Sequence, residues 1–453
     1  MTPEALLCKY DHEVPRYTSY PTVPFWKEMD ESGRYVHDFE ANFAASNDAQ
    51  GISLYIHLPF CESLCTYCGC TKIITTNHRV EDEYLNAVIG EWYQYRKLMP
   101  ETPVIRELHL GGGTPTFFSP ESLKRLLNCI FDLADIHPER EFSIEGHPNN
   151  TNKAHLETLY RLGFRRLSLG VQDHNPDVQR IINRIQPYEH VKRVTEMARQ
   201  AGFNSVNYDL IYGLPLQTVE SVRKTAEDTI FLRPDRIAYY SYAHIPWKMK
   251  SQRLYDERFL PPGDLKMKFY LLSRSLFLAA GYADIGMDHF ALPGDSLFKA
   301  FEQGDLHRNF MGYTTSHTRF MIGLGVSAIS DIGSAYAQNR RELTSYYHKV
   351  KRPELPLGRG YFLNDEDIQC REYIMSIACK GETTLDPHSE LLNTYVLPEL
   401  QDMTNDGLIE LSGNRLSVTQ PGRLFIRNIC RSFDVKWKRA QLKNGKIRFS
   451  KSV

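Results

Sequence analysis

The feature that most constrains the fold is an alternation of short apolar runs with longer amphipathic segments, from about residue 51 to about residue 330. In the segments between most of the runs, apolar residues recur at three- and four-residue steps, which is typical of helices that cover a core. Strands that alternate with helices predict parallel βα units, so we expect an α/β fold with a partial or full βα-barrel. The runs are ISLYIHL, IRELHLG, EFSIEGHP, FRRLSLGV, SVNYDLIYG, RIAYYSYAH and YADIGMDHF.

Polar and glycine-rich motifs lie at or near the end of most of these runs. In βα folds the chemistry gathers at the carboxyl ends of the strands. This arrangement therefore predicts a functional site at that end of the barrel. The motifs are GGGTP after the second run, EGHP in the third, VQD after the fourth, YDLIYGLP on the fifth and YAH on the sixth.

After about Tyr361 the pattern changes. The segments DEDIQCREYIMSIAC and LLNTYVLPELQDMTNDG are helical in pattern, LIELSGNRLSVT reads as a hairpin turning at Gly413 and Asn414, and PGRLFIRNICRSFD is again helical. We therefore predict a barrel domain over residues 51–360 and a small, mainly helical, winged-helix-like C-terminal domain over residues 361–453.

Charge and hydropathy exclude several classes of function. The chain has 54 Lys and Arg against 55 Asp and Glu among 453 residues, so its charge makes no case for a nucleic-acid partner or an anionic membrane surface. Its first residues lack the basic start and apolar run of a signal peptide, and no apolar stretch approaches the length of a transmembrane helix. We expect a cytoplasmic protein, in a compartment where a cysteine cluster more often binds metal or does redox chemistry than forms disulfides.

Four of the nine cysteines lie within ten residues, CESLCTYCGC, as Cys61, Cys65, Cys68 and Cys70. Zinc sites usually combine two separated C-x2-C pairs, and this chain has no second pair, although structural zinc remains the alternative. Three thiolates in a loop directly after the first strand fit a [4Fe–4S] cluster with one iron left open to a small molecule. The scattered cysteines are predicted to be small buried hydrophobic residues: Cys8, Cys129, Cys370, Cys379 and Cys430.

The C-x3-C-x2-C spacing, with the aromatic Tyr67 before its third cysteine, resembles the motif of the radical S-adenosylmethionine (SAM) superfamily. The CGC ending narrows the resemblance to the oxygen-independent coproporphyrinogen III oxidase family. Further segments extend the resemblance over nearly the whole chain. They include PRYTSYPT, LYIHLPFC, GGGTPT, RLSLGVQD, NYDLIYGLP, YAHIP, GMDHFA, GVSAIS and GRLFIRNICRSFD.

The resemblance implies which residues bind the cofactors. Cys61, Cys65 and Cys68 would hold the [4Fe–4S] cluster, and Cys70, unless it is a stray thiol, would serve a second SAM or the substrate radical. Two SAM molecules are implied. The first would contact Tyr55, Gly111, Gly112, Glu145, Ala243 and Ile329. The second would contact Gly113, Thr114, Gln172, Arg184 and Asp209.

The resemblance also implies a reaction and its partners. A 5′-deoxyadenosyl radical would take a β-hydrogen from a propionate of coproporphyrinogen III, and two such oxidative decarboxylations would give protoporphyrinogen IX. An electron donor such as flavodoxin or ferredoxin and a monomeric enzyme are expected. Residues 1–50 would form an arm that closes over the active site, with Arg16 pairing a propionate unless it is an ordinary surface residue. Tyr55, Glu145 and Cys70 complete the predicted catalytic set.

Two residues depart from the family pattern and keep other functions open. His147 stands where the motif E-x-D-P has an aspartate, and Met311 stands where a glutamine is expected. Both are predicted to face the cavity and to change its hydrogen-bonding capacity. The alternative is therefore a class C radical SAM methyltransferase, for instance one that acts on a quinone. A haem-carrying chaperone on the same fold is a third possibility, and Cys70 and PRYTSYPT argue against it.

Overall fold

The structure is a computed structural model that describes residues 3–352 and 354–442, without the side chains of residues 3, 4, 7 and 8. Its strands are short apart from those of the barrel core. In chain order they are β1 (Lys27–Glu28), β2 (Ile52–Leu58), β3 (Phe60–Cys61), β4 (Ile73–Ile74), β5 (Val104–Gly112), β6 (Asp135–Gly146), β7 (Arg166–Gln172), β8 (Ser205–Tyr212), β9 (Arg236–Ser241), β10 (Ala283–Gly286), β11 (His289–Ala291), β12 (His307–Asn309), β13 (Gly312–Thr314), β14 (Met321–Leu324), β15 (Ile329–Asp331), β16 (Ala335–Asn339), β17 (Leu357–Phe362), β18 (Glu382–Thr384), β19 (Ile409–Ser412) and β20 (Arg415–Val418).

The helices alternate with the barrel strands and then dominate the C-terminal region. In chain order they are α1 (Pro3–Tyr10), α2 (Ser32–Gln50), α3 (Val80–Leu98), α4 (Pro120–Phe131), α5 (Lys153–Arg161), α6 (Pro176–Ile181), α7 (Tyr188–Ala201), α8 (Val219–Leu232), α9 (Gly263–Ala279), α10 (Ser296–Glu302), α11 (Leu343–Val350), α12 (Asp365–Lys380), α13 (Leu397–Asn405), α14 (Ile426–Arg431) and α15 (Val435–Leu442).

The main sheet has thirteen strands in the order β1-β17-β16-β15-β14-β2-β5-β6-β7-β8-β9-β11-β10. Its seven central strands, from β14 to β9, run parallel to their neighbours. The order begins at β1 and ends at β10, so the sheet is open and the barrel is partial. This confirms the predicted α/β fold. It also explains why ISLYIHL is apolar throughout, because β2 is covered on both faces.

Helix α4 combines a capping side chain with an apolar stripe. In α4 the side chain of Ser119 accepts a hydrogen bond from the backbone N–H of Ser122, which satisfies an otherwise unpaired donor at the helix start. Leu123, Leu127 and Ile130 recur at three- and four-residue steps and are fully buried against the sheet. Each such side chain contributes about 1.5–3 kcal/mol of hydrophobic stabilisation.

The seventh apolar run, YADIGMDHF, was predicted as a further parallel βα strand, and this prediction is wrong. The run folds into the antiparallel hairpin β10–β11, and β11 lies antiparallel beside β9. Met287 and Asp288 have φ values of 41° and 72°, so they form a tight turn that reverses the chain. The returning strand therefore takes the place beside β9. At the opposite end of the parallel core, β14 lies parallel to β2. The sequence did not predict this pairing, because β14 has only four residues.

The C-terminal region has the predicted helices and hairpin. β19 and β20 pair from Ile409 and Val418 to Ser412 and Arg415, so the turn falls at Gly413 and Asn414 as predicted. β18 completes a three-stranded sheet. The N-terminal residues Leu6 and Tyr10 belong to the same apolar cluster as the C-terminal helices. The predicted domain boundaries remain predictions, and residues 443–453 lie outside the described part of the chain.

Within the described residues, no helix has both the length and the apolar character that crossing a bilayer requires.

Candidate functional site

The cysteine loop follows directly from the first parallel strand. Cys61 ends the short strand β3, and the other three thiols lie before β4. Two hydrogen bonds tie the loop to the segment after α6: Thr66 N–H donates to Ile182 O over 3.0 Å, and Asn183 Nδ2 donates to Leu64 O over 2.8 Å. The loop is thus held at the carboxyl edge of the sheet, where the strand order predicts the chemistry.

Hydrogen-bond donors surround the thiols. Thr114 Oγ1 donates to Cys61 Sγ over 3.3 Å, and Arg184 Nη1 lies 3.5 Å from Cys65 Sγ. A hydrogen bond from Cys70 lowers the pKa of Cys68, whereas burial raises the pKa of Cys61 to about 11. Donors of this kind stabilise sulfur in its negative form, which is the form that binds iron.

The thiols suit an iron–sulfur cluster by their chemistry. Among the described residues, no three His, Cys, Asp or Glu side chains lie close enough together to hold one metal ion. A four-iron cluster is instead held at separate corners by separate thiolates. Three cysteines on one loop, two of them facing donors that stabilise negative sulfur, therefore fit such a cluster.

The glycine motif at the end of β5 is packed too tightly for any side chain. Gly112 has a φ of +116°, and a Cβ there would lie 2.6 Å from the His57 ring. A Cβ on Gly113 would lie 2.4 Å from Pro59 O. Because glycine has no side chain, another group can approach its backbone closely, and Gly112 N–H donates to Glu145 Oε2 over 3.1 Å. The glycines thus bring β5, the end of β2 and Glu145 together.

Glu145 lies at the carboxyl end of β6 with its side chain 42% exposed. His109 Nε2 donates to Glu145 Oε1 over 3.3 Å. Although burial opposes ionisation, the hydrogen bond from His109 and the Gly112 N–H lower the pKa of Glu145. The residue is therefore a carboxylate with oxygens directed toward a cavity, and it can accept hydrogen bonds from a hydroxyl or an ammonium group.

That cavity, of about 270 Å³, contains much of the predicted site. Its walls include four predicted contacts of the first SAM and the predicted catalytic thiol, which are Tyr55, Gly112, Glu145, Ile329 and Cys70. Its walls also include His57, His109 and Phe310, which the sequence reasoning missed. His57 and His109 stand at alternate positions with Tyr55 and Gly111 on β2 and β5, so the strand period could have identified them.

A second cavity, of about 210 Å³, adjoins the first and shares Glu145, His109 and Met311 with it. Asp209 lines this second cavity and accepts hydrogen bonds from Ser168 Oγ at 2.8 Å and Asn207 Nδ2 at 3.0 Å. Burial raises the pKa of Asp209 to about 6. The two cavities are neighbours between the cysteine loop and the side of the barrel formed by β8 and β9.

Several of the residues predicted to contact SAM lie outside the walls of the two cavities. Thr114 and Arg184 contact the cysteine thiols, and Arg184 also donates to Gly170 O over 2.6 Å. Gln172 is buried with a φ of 67°. None of these three, nor Gly113, is among the residues lining the two cavities. The residue roles assigned by resemblance remain predictions.

Two more first-SAM residues flank the site. A Cβ on Gly111 would lie 3.0 Å from Glu145 Oε1, so this glycine makes room for the carboxylate. Ala243 follows β9, and its carbonyl accepts a hydrogen bond from Gln252 Nε2 over 3.1 Å. The same Gln252 Nε2 donates to Tyr67 O over 3.1 Å, which joins the segment after β9 to the cysteine loop.

Arg16 of the N-terminal segment reaches the end of β9. Its Nη2 donates to Ser241 O over 3.3 Å, its Nη1 lies 4.0 Å from Asp288 Oδ2, and its guanidinium lies 4.7 Å from the Tyr240 ring centre. Tyr240 lines the second cavity. Arg16 is thus partly buried beside the site rather than an isolated surface residue.

The expectation that His147 faces the cavity is not met, since it lines neither space. Its Nδ1 accepts a hydrogen bond from the backbone N–H of Asn149 over 3.1 Å. An aspartate oxygen could accept the same bond in an Asx turn, so the histidine replaces a turn-forming acceptor. Burial and the nearby Arg184 lower the pKa of His147 to about 2, and the ring is neutral.

The expectation for Met311 is confirmed, because Met311 lines both cavities. A thioether there removes the donor and the acceptor that a glutamine amide would offer. It makes the wall shared by the two cavities less polar.

The scattered cysteines follow the prediction in part. Cys370, Cys379 and Cys430 are buried, as predicted, but Cys129 on α4 is only half-buried. The side chain of Cys8 lies outside the described part of the structure.

Comparison with known proteins agrees with this geometry. Residues 55–229 match the family model of the radical SAM superfamily. The chain is 39% identical over 437 residues to the oxygen-independent coproporphyrinogen III oxidase of Escherichia coli K12, covering 95% of this chain and 94% of the relative. A homologue with the same description from Synechocystis is 38% identical over 442 residues, again covering 95% and 94%. The solved structure of coproporphyrinogen III oxidase from Escherichia coli, described as a radical SAM enzyme, superposes with a TM-score of 0.88 at 38% identity, covering 95% of this chain and 98% of that one.

Proposed function

This chain belongs to the oxygen-independent coproporphyrinogen III oxidase family of radical SAM enzymes, and we propose that it converts two propionates of coproporphyrinogen III into vinyl groups, giving protoporphyrinogen IX. As a family member it is an oxidoreductase of haem biosynthesis that uses a [4Fe–4S] cluster and SAM. The observation that carries the proposal is the pair of adjoining cavities, one lined by Cys70 and Glu145 and the other by Glu145 and Tyr240, the ring that Arg16 contacts.

In this proposal Cys61, Cys65 and Cys68 hold the cluster. When bound, the cluster and SAM together supply a carbon radical able to abstract hydrogen. Thr114 and Arg184 stabilise the negative charge of the thiolates.

Glu145 and Tyr55 orient the first SAM. Glu145 is ionised and accepts from a ribose hydroxyl or the methionyl ammonium group, a role supported by its lowered pKa and its exposure to the cavity. Tyr55 stacks against His109 with ring centres 6.0 Å apart and donates to His57 Nδ1 over 3.0 Å, so its ring is held in one position. A second SAM beside the first, contacted by Asp209, is part of the proposal.

Arginines provide the partners for the substrate carboxylates. Arg308 on β12 is only 6% exposed, its Nη2 donates to Arg16 O over 3.2 Å, and its Nε and Nη1 have no hydrogen-bond partner among the described residues. Burial and the nearby Arg16 lower the pKa of Arg427 on α14 to about 10. The two unpartnered nitrogen atoms make the buried guanidinium of Arg308 costly, and a propionate that reaches it would remove that cost. We therefore assign Arg16 and Arg308 to the binding of a propionate.

Each conversion removes one hydrogen atom from the β-carbon, one CO2 and one electron, so an electron acceptor is required as well as a donor for the cluster. We propose a flavodoxin or ferredoxin as the donor, a monomeric state and a cytoplasmic location. These assignments rest on the family resemblance.

Methyl transfer from a second SAM to a quinone is the second candidate function. The observation in its favour is Met311, which gives both cavities a less polar wall than the family's glutamine would. A less polar wall suits an aromatic quinone better than a carboxylate-bearing side chain.

An anaerobic assay separates the two candidates. The reconstituted protein is incubated with coproporphyrinogen III, SAM and dithionite, and the products are analysed by mass spectrometry. An oxidase gives vinyl porphyrinogen, CO2, methionine and 5′-deoxyadenosine. Formation of S-adenosylhomocysteine in step with a methylated product, without any vinyl product, would overturn the oxidase proposal in favour of the methyltransferase.

A further inference from the structure

An apolar surface lies on the segment 244–260, which follows β9. Trp247, Leu254 and Phe259 are 53%, 68% and 47% exposed. Leu216, also exposed, joins them, because its N–H donates to Phe259 O over 2.9 Å. We call this group, together with the cations of the same segment, the Trp247 surface. Exposed apolar side chains concentrated on one segment are typical of sites that bind another protein.

Apart from Arg258, which pairs with Asp256, the cations of the Trp247 surface are Lys248, Lys250 and Arg253. All three are exposed, and none has an acidic partner among the residues described by the structure. Arg253 Nε donates to the backbone carbonyl of Pro246 over 2.8 Å, which leaves its charge uncompensated. The four cations of the segment outnumber its two acids, of which Asp256 pairs with Arg258 and Glu257 contacts His244. The surface is therefore positive as well as apolar.

One buried residue connects this surface to the cysteine loop. Gln252, 1% exposed, lies between Ser251 and Arg253 and donates through Nε2 to Tyr67 O over 3.1 Å. Tyr67 stands directly before Cys68, and its ring packs in the same apolar cluster as Tyr255. A single hydrogen bond thus leads from the exposed segment to the backbone beside a proposed cluster ligand.

We propose that the Trp247 surface is the docking site of a small acidic one-electron carrier protein, which gives one electron to the cluster and is itself oxidised by one electron. This inference rests on the proposed function, because that function requires an external electron. Electron-transfer complexes are small and short-lived, and complementary charge raises their association rate. The apolar centre and the unpaired cations match such a partner. A second copy of this chain fits less well, since a two-fold contact would place the same cations opposite one another.

The test measures carrier binding and cluster reduction, not porphyrin formation. The probes are a plant-type [2Fe–2S] ferredoxin and a flavodoxin, and the protein is the reconstituted full chain. One variant reverses the three cations, K248E/K250E/R253E. The matched control, K97E/K124E/R193E, reverses three other exposed cations, on α3, α4 and α7, that also have no acidic partner among the described residues. Binding is followed by surface plasmon resonance between about 20 and 200 mM salt, a range over which screening of surface charge changes strongly.

We expect saturable binding of at least one carrier that weakens with salt. The triple reversal should weaken binding about tenfold or more and remove most of its salt dependence, whereas the control should stay within about twofold. Reduction of the cluster by the reduced carrier, followed by its visible absorbance, should slow by a similar factor, while reduction by dithionite should not change. W247S should raise the dissociation rate and leave the association rate nearly unchanged, because it removes apolar contact and no charge.

Three results would overturn the proposal: no binding of either carrier, equal weakening in the control variant, or equal slowing with dithionite. Concentration-dependent dimerisation in light scattering that the triple reversal abolishes would assign the surface to a second copy instead. Because no tetrapyrrole is used, the two proposals fail separately. Carrier binding without any vinyl product would sink only the proposed function, and vinyl product without carrier binding would sink only the docking site.

Discussion

The cysteine loop, residues 61–70, and the segment 307–313 line the same cavity, but they differ in how they are built. The loop carries its chemistry in a local spacing, with four thiols in ten residues after one strand. The segment 307–313 carries Arg308, Phe310 and Met311 on the small hairpin β12–β13, which lies outside the main sheet. The difference suggests that the loop determines which cofactor is bound, whereas the hairpin determines which substrate fits.

The largest expected effect tests the loop. Cys65→Ser should abolish the iron–sulfur absorbance and SAM cleavage, because two thiolates cannot hold the cluster in place of three. Cys129→Ser, a matched change of a half-buried cysteine on α4, should keep both. The measurements are iron content and visible absorbance after anaerobic reconstitution. A C65S protein with a full cluster would show that Cys65 is not a ligand.

The second effect separates Cys70 from the other three thiols. Cys70 lines the 270 Å³ cavity together with Glu145, so we predict that it acts on a bound molecule and not as a cluster ligand. Cys70→Ser should keep iron content within error and lose vinyl product by about 100-fold or more, a typical loss for a group involved in proton transfer. If the variant instead fails to assemble a cluster, Cys70 is a ligand.

The third effect tests the hairpin. Arg308→Gln should raise KM for coproporphyrinogen III about 10- to 100-fold, since a charge-assisted hydrogen bond contributes about 1.5–3 kcal/mol. Arg319→Gln, an exposed arginine after the hairpin, is the control and should change KM less than about twofold. SAM cleavage without substrate should be unchanged in both. An unchanged KM in R308Q would remove Arg308 from the substrate site.

A fourth prediction concerns the anchoring of the strands beside β2. Glu91 on α3 is buried and accepts hydrogen bonds from Gly325 N–H, Asn339 Nδ2 and Tyr346 Oη. Burial raises the pKa of Glu91 to about 8. Because the folded pKa is above that of the unfolded chain, the folded state binds the proton more tightly. The contribution of Glu91 to stability should therefore fall as pH rises from about 4.5 to about 8.

Glu91→Gln checks this prediction. The variant should be less stable than the wild type at pH 5 by about 1–3 kcal/mol. The reason is that the amide nitrogen of glutamine cannot accept a hydrogen bond from the donors that surround the carboxyl group of Glu91. The difference should shrink as the pH rises to 8, since the variant cannot ionise. Denaturant unfolding at the two pH values gives both free energies. A difference that is constant or grows with pH would contradict the raised pKa.

The smallest expected effect tests Met311, which lines both cavities. Met311→Gln restores the amide expected in the family and should change kcat/KM for coproporphyrinogen III by about tenfold at most, because one solvent-accessible hydrogen bond contributes only about 0.5–1.5 kcal/mol. His147→Asp should change it still less, since the ring serves a backbone turn. A large gain of vinyl product in M311Q alone would show that the methionine marks a different natural substrate.

The sequence by itself determined the features that depend on neighbouring residues. The cysteine spacing, the parallel strands β2 and β5 to β9, and the hairpin at Gly413 and Asn414 follow from short patterns, because strand period, turn chemistry and ligand spacing act over a few residues. The extent of the third apolar run likewise placed Glu145 at the end of a strand.

Only the tertiary structure decided the contacts between distant segments. It paired β14 with β2, reversed YADIGMDHF beside β9, directed Met311 into both cavities and turned His147 away from them. It also brought Gln252 to Tyr67, a contact that spans 185 residues. No local pattern encodes such pairings, because they depend on which surfaces are left unpaired once the parallel core has formed.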